Sequence, residues 1–390
     1  MGSSLKSKLN RLKATAEPRP APPPPAIMEH EARFPAEDKL FSLSAQALKR
    51  IGYEGEFDPK RALFLDTETT GLSGGAGTVA FLVGLGRVEG SELVVRQVLM
   101  PGYAAEPILL SRVNEIAQGC DTVVTFNGKS FDLPLLQSRH IMCRMDCPVA
   151  QMRHLDLIHP ARRAWKLRLK DCSLSNLEEK VLSMRREHDL PGSEVPERYF
   201  TFLKTGDVSL LTDIVDHNRQ DIVSLSTLLV RLCDAYAAPA EQMSMLDVFS
   251  MGKALEKQGE RQEARKCYRL AAQPLPLTST ARLSEARCAP MANRSLSLML
   301  RRDGDKAGAE KVWLEMIRRG QMGAFPYIEL AKLREHRDPD YEGALEDTDR
   351  ALKMTEDDKE RAALTVRRNR LQRRIETKNN SRRTENHGTV

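Results

Sequence analysis

One segment constrains this chain more than any other. An apolar run at 62–65 leads directly into Asp-Thr-Glu-Thr-Thr-Gly-Leu at 66–72. The apolar run predicts a buried strand. Side chains two apart on a strand project to the same face, so Asp66 and Glu68 would aim two carboxylates at one point. Such hard oxygen ligands suit Mg²⁺ or Mn²⁺, with waters and phosphate oxygens completing the shell.

The turn after this strand is suited to contact a sugar-phosphate chain. Hydroxyls and backbone N–H groups can approach phosphates closely where glycine removes the side chain. We therefore predict nucleic-acid contacts from Thr67, Thr69, Gly71 and Leu72.

Two further acidic groups follow later in the chain. Asp132 comes after Phe126-Asn127-Gly128, where a strand breaks and a helix begins, and alone it would be a first-turn helix charge. His217 and Asp221 share a helical face at i, i+4, although the same pair could simply begin a surface helix. Together these residues predict a metal cage in which His217 accepts a proton from water.

The hydrophobic pattern predicts an α/β domain at 46–238. Strands at 62–65, 78–88 and 93–100 form a meander, and strands near 122–126 and 153–157 then alternate with helices. This order predicts a mixed sheet flanked by helices. Residues 1–45 are expected to be a disordered, basic, proline-rich tail. The alternative is that its tip, with Leu5, Leu9 and Leu12 on one helical face, docks on acidic lipid, nucleic acid or a partner.

After residue 239 the predicted elements are all helical. Three helix pairs align on Ala264, Ala309 and Ala344, each preceded by a turn rich in Gly or Asp. The pattern resembles tetratricopeptide repeats over 239–360, although an unrelated helical bundle is the alternative. Residues 361–390 are expected to form a basic tail.

Composition adds weaker constraints. The formal charge of +6 permits a polyanionic partner without requiring one. The seven cysteines are scattered and no secretory signal precedes them, so we expect unpaired thiols and a cytoplasmic location. The sequence has no apolar run long enough for a membrane span.

A basic stretch at 162–170 interleaves lysines and arginines with one tryptophan. This composition predicts nucleic-acid contacts, with Trp165 stacking on a base and Arg168 binding phosphate. The alternative is a solvated basic face with Trp165 packed inward.

The four acidic positions, in their order and contexts, resemble the DEDD exonuclease superfamily of the RNase H-like fold. Residues 66–72 are similar to the first motif of proofreading-type exonucleases. Residues 127–132 are similar to the second motif in the proofreading domains of B-family polymerases. The third motif departs from the family pattern, because His217 stands where one branch of the superfamily has tyrosine.

The segment from about 58 to 235 resembles the bacterial YprB-type RNase H-like family more closely, including residues 154–157, 172–178 and 191–199. This resemblance implies an RNase H-like domain that holds two Mg²⁺ or Mn²⁺ ions. Asp66 would bridge both ions, with Glu68, Asp132 and Asp221 completing their shells. Asn127 would position the terminal nucleotide. Asp156 is expected to support the site without binding metal.

These features predict a metal-dependent 3′–5′ exonuclease of the DEDD type, acting on single-stranded or frayed DNA or RNA. A second hypothesis makes the nuclease fold a nucleic-acid-binding scaffold whose repeats hold a protein partner. A third is endonuclease action at the same carboxylates.

Overall fold

The computed structural model describes residues 26–71, 77–186, 190–242, 244–273, 287–336 and 340–387, with side chains described as far as 380. The predicted basic tip around Leu5, Leu9 and Leu12 lies outside these residues. The chain forms two compact units. The first comprises Met1–Ser42, Gly55–Leu157 and Ser183–Leu229, and the second comprises Leu43–Glu54, Ile158–Leu182 and Val230–Val390.

The first unit is built on a mixed β-sheet. Its strands among the described residues are β1 (Met28–Pro35), β2 (Ala62–Thr69), β3 (Ala80–Glu89), β4 (Glu92–Leu99), β5 (Thr122–Thr125) and β6 (Arg153–Asp156). They lie in the order β1-β4-β3-β2-β5-β6. Strand β2 is antiparallel to β3 and parallel to β5, and β5 is parallel to β6. The predicted meander and mixed sheet are therefore confirmed.

The helices of the described chain cover the faces of this sheet and form the second unit. They are α1 (Ala45–Ile51), α2 (Glu106–Ile116), α3 (Asp132–Met142), α4 (Ile158–Leu169), α5 (Leu174–Leu177), α6 (Val195–Thr205), α7 (Ser209–Ala237), α8 (Met245–Lys257), α9 (Arg261–Ala271), α10 (Cys288–Arg302), α11 (Lys306–Arg318), α12 (Phe325–His336), α13 (Tyr341–Met354) and α14 (Asp358–His387).

The apolar core of the first unit ties α6 and α7 to the sheet. The ring of Tyr199 on α6 stacks on Phe81 of β3 with centroids 3.9 Å apart. Its hydroxyl donates to the carbonyl of Met100 over 2.9 Å, so the buried polar group is satisfied. Ile214 on α7 is fully buried in the same cluster. The part of α7 that belongs to this unit is therefore held against the sheet.

Two glycines let α7 approach β3 closely. A Cβ on Gly84 would lie 2.2 Å from Oδ1 of Asn218, and a Cβ on Gly86 would lie 2.5 Å from Cγ2 of Ile222. Real Cβ atoms cannot come so near, so glycine at both positions sets the depth at which α7 lies on the sheet.

The disordered N-terminal tail was predicted too long, and the basic C-terminal tail is helical. Residues 28–35, assigned to the disordered tail 1–45, form the edge strand β1, which pairs antiparallel with β4. The hydrogen bonds to β4 satisfy the backbone N–H and C=O groups of this segment. Its polar sequence gives no sign of such pairing. Residues 361–387, assigned to a basic tail, continue α14. Leu364 and Leu371 are buried on that helix, which explains why it is ordered.

The second unit contains successive packed helices. Contacts join α8 to α9, α10 to α11, and α12 to α13. The alanines used for the repeat alignment, Ala264, Ala309 and Ala344, are all fully buried. Asp305 and Asp340 cap α11 and α13 by accepting from the N–H groups of Gly308 and Gly343. The helical region is thus established, whereas its assignment to tetratricopeptide repeats stays a prediction.

Within the described ranges, no helix is both long and apolar enough to cross a membrane.

Candidate functional site

Strand β2 carries the first two acidic groups. It continues through Asp66 and Glu68 to Thr69, beyond the end predicted at Leu65. Asp66 lies opposite Gly84 of β3 and Glu68 lies opposite Leu82, with a register shift directly after Glu68. Both carboxylates therefore sit on a rigid, paired strand, which is more precise than a loop.

Asp132 is the first residue of α3 and is 8% exposed. Its Oδ1 accepts a hydrogen bond of 2.5 Å from the hydroxyl of Thr67 on β2. Thr67, which was predicted to contact nucleic acid, thus also links β2 to the first residue of α3. Its hydroxyl ties the start of α3 to the end of the central strand.

The loop before α3 is held by Asp156 at the end of β6. Its two carboxylate oxygens accept from the backbone N–H groups of Asn127 over 2.7 Å and Lys129 over 3.1 Å. Asn127 has φ of 69°, a left-handed conformation that asparagine tolerates better than most residues. Asp156 therefore positions the loop that leads to Asp132, as expected for a supporting carboxylate.

Helix α7 brings the last acidic group and an amide to β2. Asn218 is fully buried, and its Nδ2 donates to Oδ2 of Asp66 over 2.8 Å. Its Oδ1 accepts from Nε2 of Gln97 on β4, also over 2.8 Å. This bond orients the Asn218 amide, which in turn orients the Asp66 carboxylate.

Arg186 joins the two predicted residues of α7. Its side chain is 7% exposed, and its Nη2 donates to Oδ1 of Asp221 over 2.5 Å. Its Nη1 lies 2.8 Å from Nδ1 of His217, and Nε2 of His217 lies 3.6 Å from Oδ2 of Asp221. A guanidinium group can only donate hydrogen bonds. A ring nitrogen of His217 that accepts a hydrogen bond from Arg186 must therefore carry no proton.

The acidic groups are close enough to perturb one another. Burial raises the pKa of Asp66 well above its usual range, and the charges of Asp221, Asp132 and Glu68 raise it further. Burial also raises the pKa of Glu68 to about 8, and the negative charge of Asp221 adds to this effect. Burial raises the pKa of Asp132 to about 6, although the Thr67 hydrogen bond opposes the shift. The cluster thus has more buried acidic groups than Arg186 alone could neutralise if all of them were ionised.

The donor set of this cluster fits divalent cations. Carboxylate oxygens are the ligands that Mg²⁺ and Mn²⁺ prefer, and the mutual repulsion of the carboxylates would be relieved by such ions. In the described part of the chain, however, no three or more His, Cys, Asp or Glu side chains are arranged as a ready-made metal site. Since Arg186 engages Asp221, binding of a metal there would require this ion pair to rearrange.

Comparison with known proteins supports the RNase H-like fold that the sequence predicted. Residues 63–233 match a family model described as RNase H superfamily. YprB of Bacillus subtilis (strain 168), a protein described as uncharacterized, is 32% identical over 330 residues, which cover 82% of this chain and 76% of that relative. The chain belongs to the YprB family.

A solved structure is also similar to this YprB-family chain. It is the family B DNA polymerase of the hyperthermophilic archaeon Pyrobaculum calidifontis, with 16% sequence identity over 62% of this chain and a TM-score of 0.34. This chain spans 30% of the length of that polymerase.

The other predicted contact residues of the YprB-family chain do not all join the carboxylate cluster. The hydroxyl of Thr69 donates to the carbonyl of Gly71 over 2.7 Å and shapes the turn after β2, whereas Leu72 lies outside the described residues. Trp165 on α4 is 2% exposed, which leaves no ring surface for base stacking and corresponds to the inward-packed alternative. Arg168 pairs with both oxygens of Asp247, at 2.9 and 2.8 Å.

The sequence did not predict two residues of this site, Asn218 and Arg186. Asn218 lies between His217 and Asp221 in the chain, and its role comes from the fold that brings α7 against β2. Arg186 lies in a polar segment far from each motif. A signal for Asn218 existed, since an amide within an apolar helix needs buried partners, but no local pattern identifies Arg186.

Proposed function

We propose that this chain is a metal-dependent nuclease of the DEDD type that hydrolyses phosphodiester bonds, acting as a 3′–5′ exonuclease on single-stranded or frayed nucleic acid. The observation that carries the proposal is the convergence of Asp66, Glu68, Asp132 and Asp221 from three separated segments into one mutually perturbed cluster. Structural carboxylates are normally paired with cations, whereas a cluster that repels itself is typical of a functional site.

In this proposal the four carboxylates hold two Mg²⁺ or Mn²⁺ ions. Such ions neutralise charge that develops on the phosphate and lower the pKa of a bound water. Other residues of the chain orient these carboxylates. Asn218 and Thr67 hold Asp66 and Asp132 in place through their hydrogen bonds.

The protein groups would also handle the proton and the substrate strand. Water attacks phosphorus in line with the departing 3′ oxygen, so a new P–O bond forms as the bond to the shortened strand breaks. His217 accepts the proton of the water through a ring nitrogen, once Arg186 no longer donates to it. Asn127 and the turn at Thr69 and Gly71 contact the terminal nucleotide.

The direct test uses purified protein with end-labelled single-stranded DNA and RNA in Mg²⁺ or Mn²⁺. We expect stepwise release of nucleotides by the wild-type chain and none by Asp66→Ala. Undiminished release by that variant would overturn the proposal. A circular single strand distinguishes exonuclease from endonuclease action, because only an endonuclease cuts a substrate without ends.

The Arg186–Asp221 pair favours a second candidate function, a nucleic-acid-binding scaffold whose helical region holds a protein partner. In a scaffold the arginine would permanently replace the metal charge. Isothermal titration with Mn²⁺ separates the two functions. A nuclease site should bind the ion with a stoichiometry that Asp66→Ala lowers, whereas a permanent arginine pair should leave titration heats indistinguishable from those of Asp66→Ala.

A further inference from the structure

The second unit carries a basic groove on α14. Between 367 and 378 this helix has six lysines or arginines and one acid, and they are Arg367, Arg368, Arg370, Arg373, Arg374, Lys378 and Glu376. Tyr341, at the start of α13, lines the same groove, which has a volume of about 730 Å³. Charge of one sign on a helix is ordinarily offset by neighbours, so the partner of each cation decides what the groove can do.

One part of this basic helix has a structural role. Arg367 and Arg370 both donate to the carboxylate of Glu335, which is 2% exposed. The Nε of Arg368 lies 3.3 Å from Oδ1 of Asp349. These arginines secure α14 to α12 and α13.

The remaining part has no carboxylate partner among the side chains that the structure describes. Arg373, Arg374 and Lys378 form no ion pair with any acid among the residues whose side chains the structure describes. Two of these cations face one aromatic ring: the guanidinium carbon of Arg374 lies 5.4 Å from the Tyr341 centroid, and Nζ of Lys378 lies 5.8 Å from it. Arg374 and Lys378 are four residues apart, where like charges on a helix repel each other, so positive charge is concentrated beside Tyr341.

The groove has the chemistry of a phosphodiester chain as its ligand. Adjacent cations bind successive phosphates, and an aromatic ring among them offers a surface on which a base can stack. A membrane surface fits poorly, because a helix that enters lipid needs an exposed apolar face. On α14, Leu364 and Leu371 are buried, and Val366 is the exposed large apolar residue of the described portion.

We propose that Tyr341, Arg373, Arg374 and Lys378 form a second nucleic-acid-binding site, which holds the backbone of a single strand with residues other than those of the carboxylate cluster. The choice of nucleic acid as partner rests on the proposed function. The site itself rests on the aromatic ring and on three cations that form no ion pair with any acid of the described side chains. The site binds a strand without sequence preference, because phosphate contacts carry no sequence information.

The test is fluorescence anisotropy with a labelled single-stranded oligonucleotide and the full chain in EDTA, which prevents cleavage. The groove variant combines Arg373→Gln, Arg374→Gln and Lys378→Gln. The control variant combines Lys306→Gln, Lys311→Gln and Lys353→Gln, which removes the same charge from other exposed positions of the second unit. Circular dichroism verifies that both variants keep their helix content.

The groove variant should bind about tenfold more weakly at low salt, and its slope of log affinity against log salt should fall by about 2, roughly 0.7 for each lost phosphate contact. The control should retain the wild-type slope. Tyr341→Leu should weaken binding without changing that slope, because stacking releases no counterions. Equal affinities for the groove and control variants would overturn the proposal, as would displacement of the oligonucleotide by polyglutamate at equal charge concentration, which would indicate an acidic protein partner.

Two results distinguish failure of the groove proposal from failure of the nuclease proposal. If Asp66→Ala binds the oligonucleotide normally while the wild-type chain cleaves nothing, the groove stands and the nuclease proposal falls. If the wild-type chain cleaves and the groove variant keeps wild-type affinity and salt slope, the groove proposal falls and the nuclease stands.

Discussion

Arg186 is the residue on which the chemistry of the carboxylate cluster depends most directly. Its buried guanidinium donates to Asp221 and His217 and so occupies groups that the proposed nuclease needs for metal and proton. A buried cation among carboxylates stabilises the metal-free protein, but it competes with any other cation for the same oxygens. We therefore regard Arg186 as an internal counter-ion that must be displaced before the site is active.

Arg186→Gln should therefore tighten Mn²⁺ binding. Removing the competitor frees the Asp221 carboxylate, and loss of a charged hydrogen bond of about 1.5 kcal/mol corresponds to roughly tenfold in affinity. The measurement is isothermal titration with Mn²⁺, and Arg185→Gln, at the exposed neighbouring position, is the matched control. Weaker Mn²⁺ binding by Arg186→Gln would show instead that the arginine holds Asp221 in a ligating position.

A second residue-scale prediction concerns Glu68 and pH in the metal-free protein. Burial and the charge of Asp221 raise the pKa of Glu68 in the folded chain to about 8, whereas a glutamate in the unfolded chain titrates near its ordinary pKa of 4.5. Between these values the folded state binds more protons than the unfolded state, so the contribution of Glu68 to stability falls as pH rises. Glu68→Gln removes this loss.

In EDTA, the difference in Tm between Glu68→Gln and wild type should be small near pH 5 and grow until about pH 8. A gain on the order of a few kcal/mol corresponds to several degrees for a unit of this size. Glu197→Gln, at an exposed position on α6, should show no such trend. A difference that does not change with pH would contradict the idea that Glu68 carries a repelled charge.

At the scale of elements, the close approach of α7 to β3 places Asn218 and Asp221 beside β2. Gly84→Ala would put a methyl group 2.2 Å from Oδ1 of Asn218, which is hydrogen-bonded to Gln97 and whose amide bonds Asp66. The helix must shift or the amide must turn. We expect a loss of about 1 to 3 kcal/mol in the free energy of unfolding and weaker metal binding.

Chemical denaturation and Mn²⁺ titration together check this prediction. Gly102→Ala is the matched control, because Gly102 has an extended backbone and a Cβ added there would meet no atom within 4 Å. If Gly84→Ala were as stable as Gly102→Ala and bound Mn²⁺ equally, the packing depth of α7 would not control the site.

The same elements show what the sequence could and could not predict. Strands β2 to β5 were predictable because their apolar runs are bounded by turn residues, whereas β6 has Leu155 as its single apolar residue. Strand β1 was not predictable, because it has no buried residue and its half-buried Met28, Ala32 and Phe34 are separated by exposed polar residues. The acidic positions were predictable from their spacing on strand and helix, but Arg186 reaches Asp221 only through the tertiary fold.

At the scale of the whole molecule, the second compact unit draws on early as well as late parts of the chain. Its Leu43–Glu54 and Ile158–Leu182 segments precede its main portion, Val230–Val390. Arg50 on α1 is 4% exposed and donates to Glu260 over 2.9 Å, and α4 packs against α8. Parts of the predicted domain 46–238 thus depend on residues that follow it.

A chain cut after residue 238 should therefore be far less stable than the full chain. Arg50 would lose its ion pair with Glu260, and α4 would lose the apolar contacts of α8. A chain cut after residue 336 keeps both partners and is the matched control. Thermal melting and size-exclusion chromatography should show early unfolding or aggregation for the first and a monomeric, cooperative transition for the second. If the chain ending at 238 melted like the control, Ala45–Ile51 and Ile158–Leu169 would not need α8 and Glu260 for their stability, and the interleaving of segments in the second unit would have no energetic consequence.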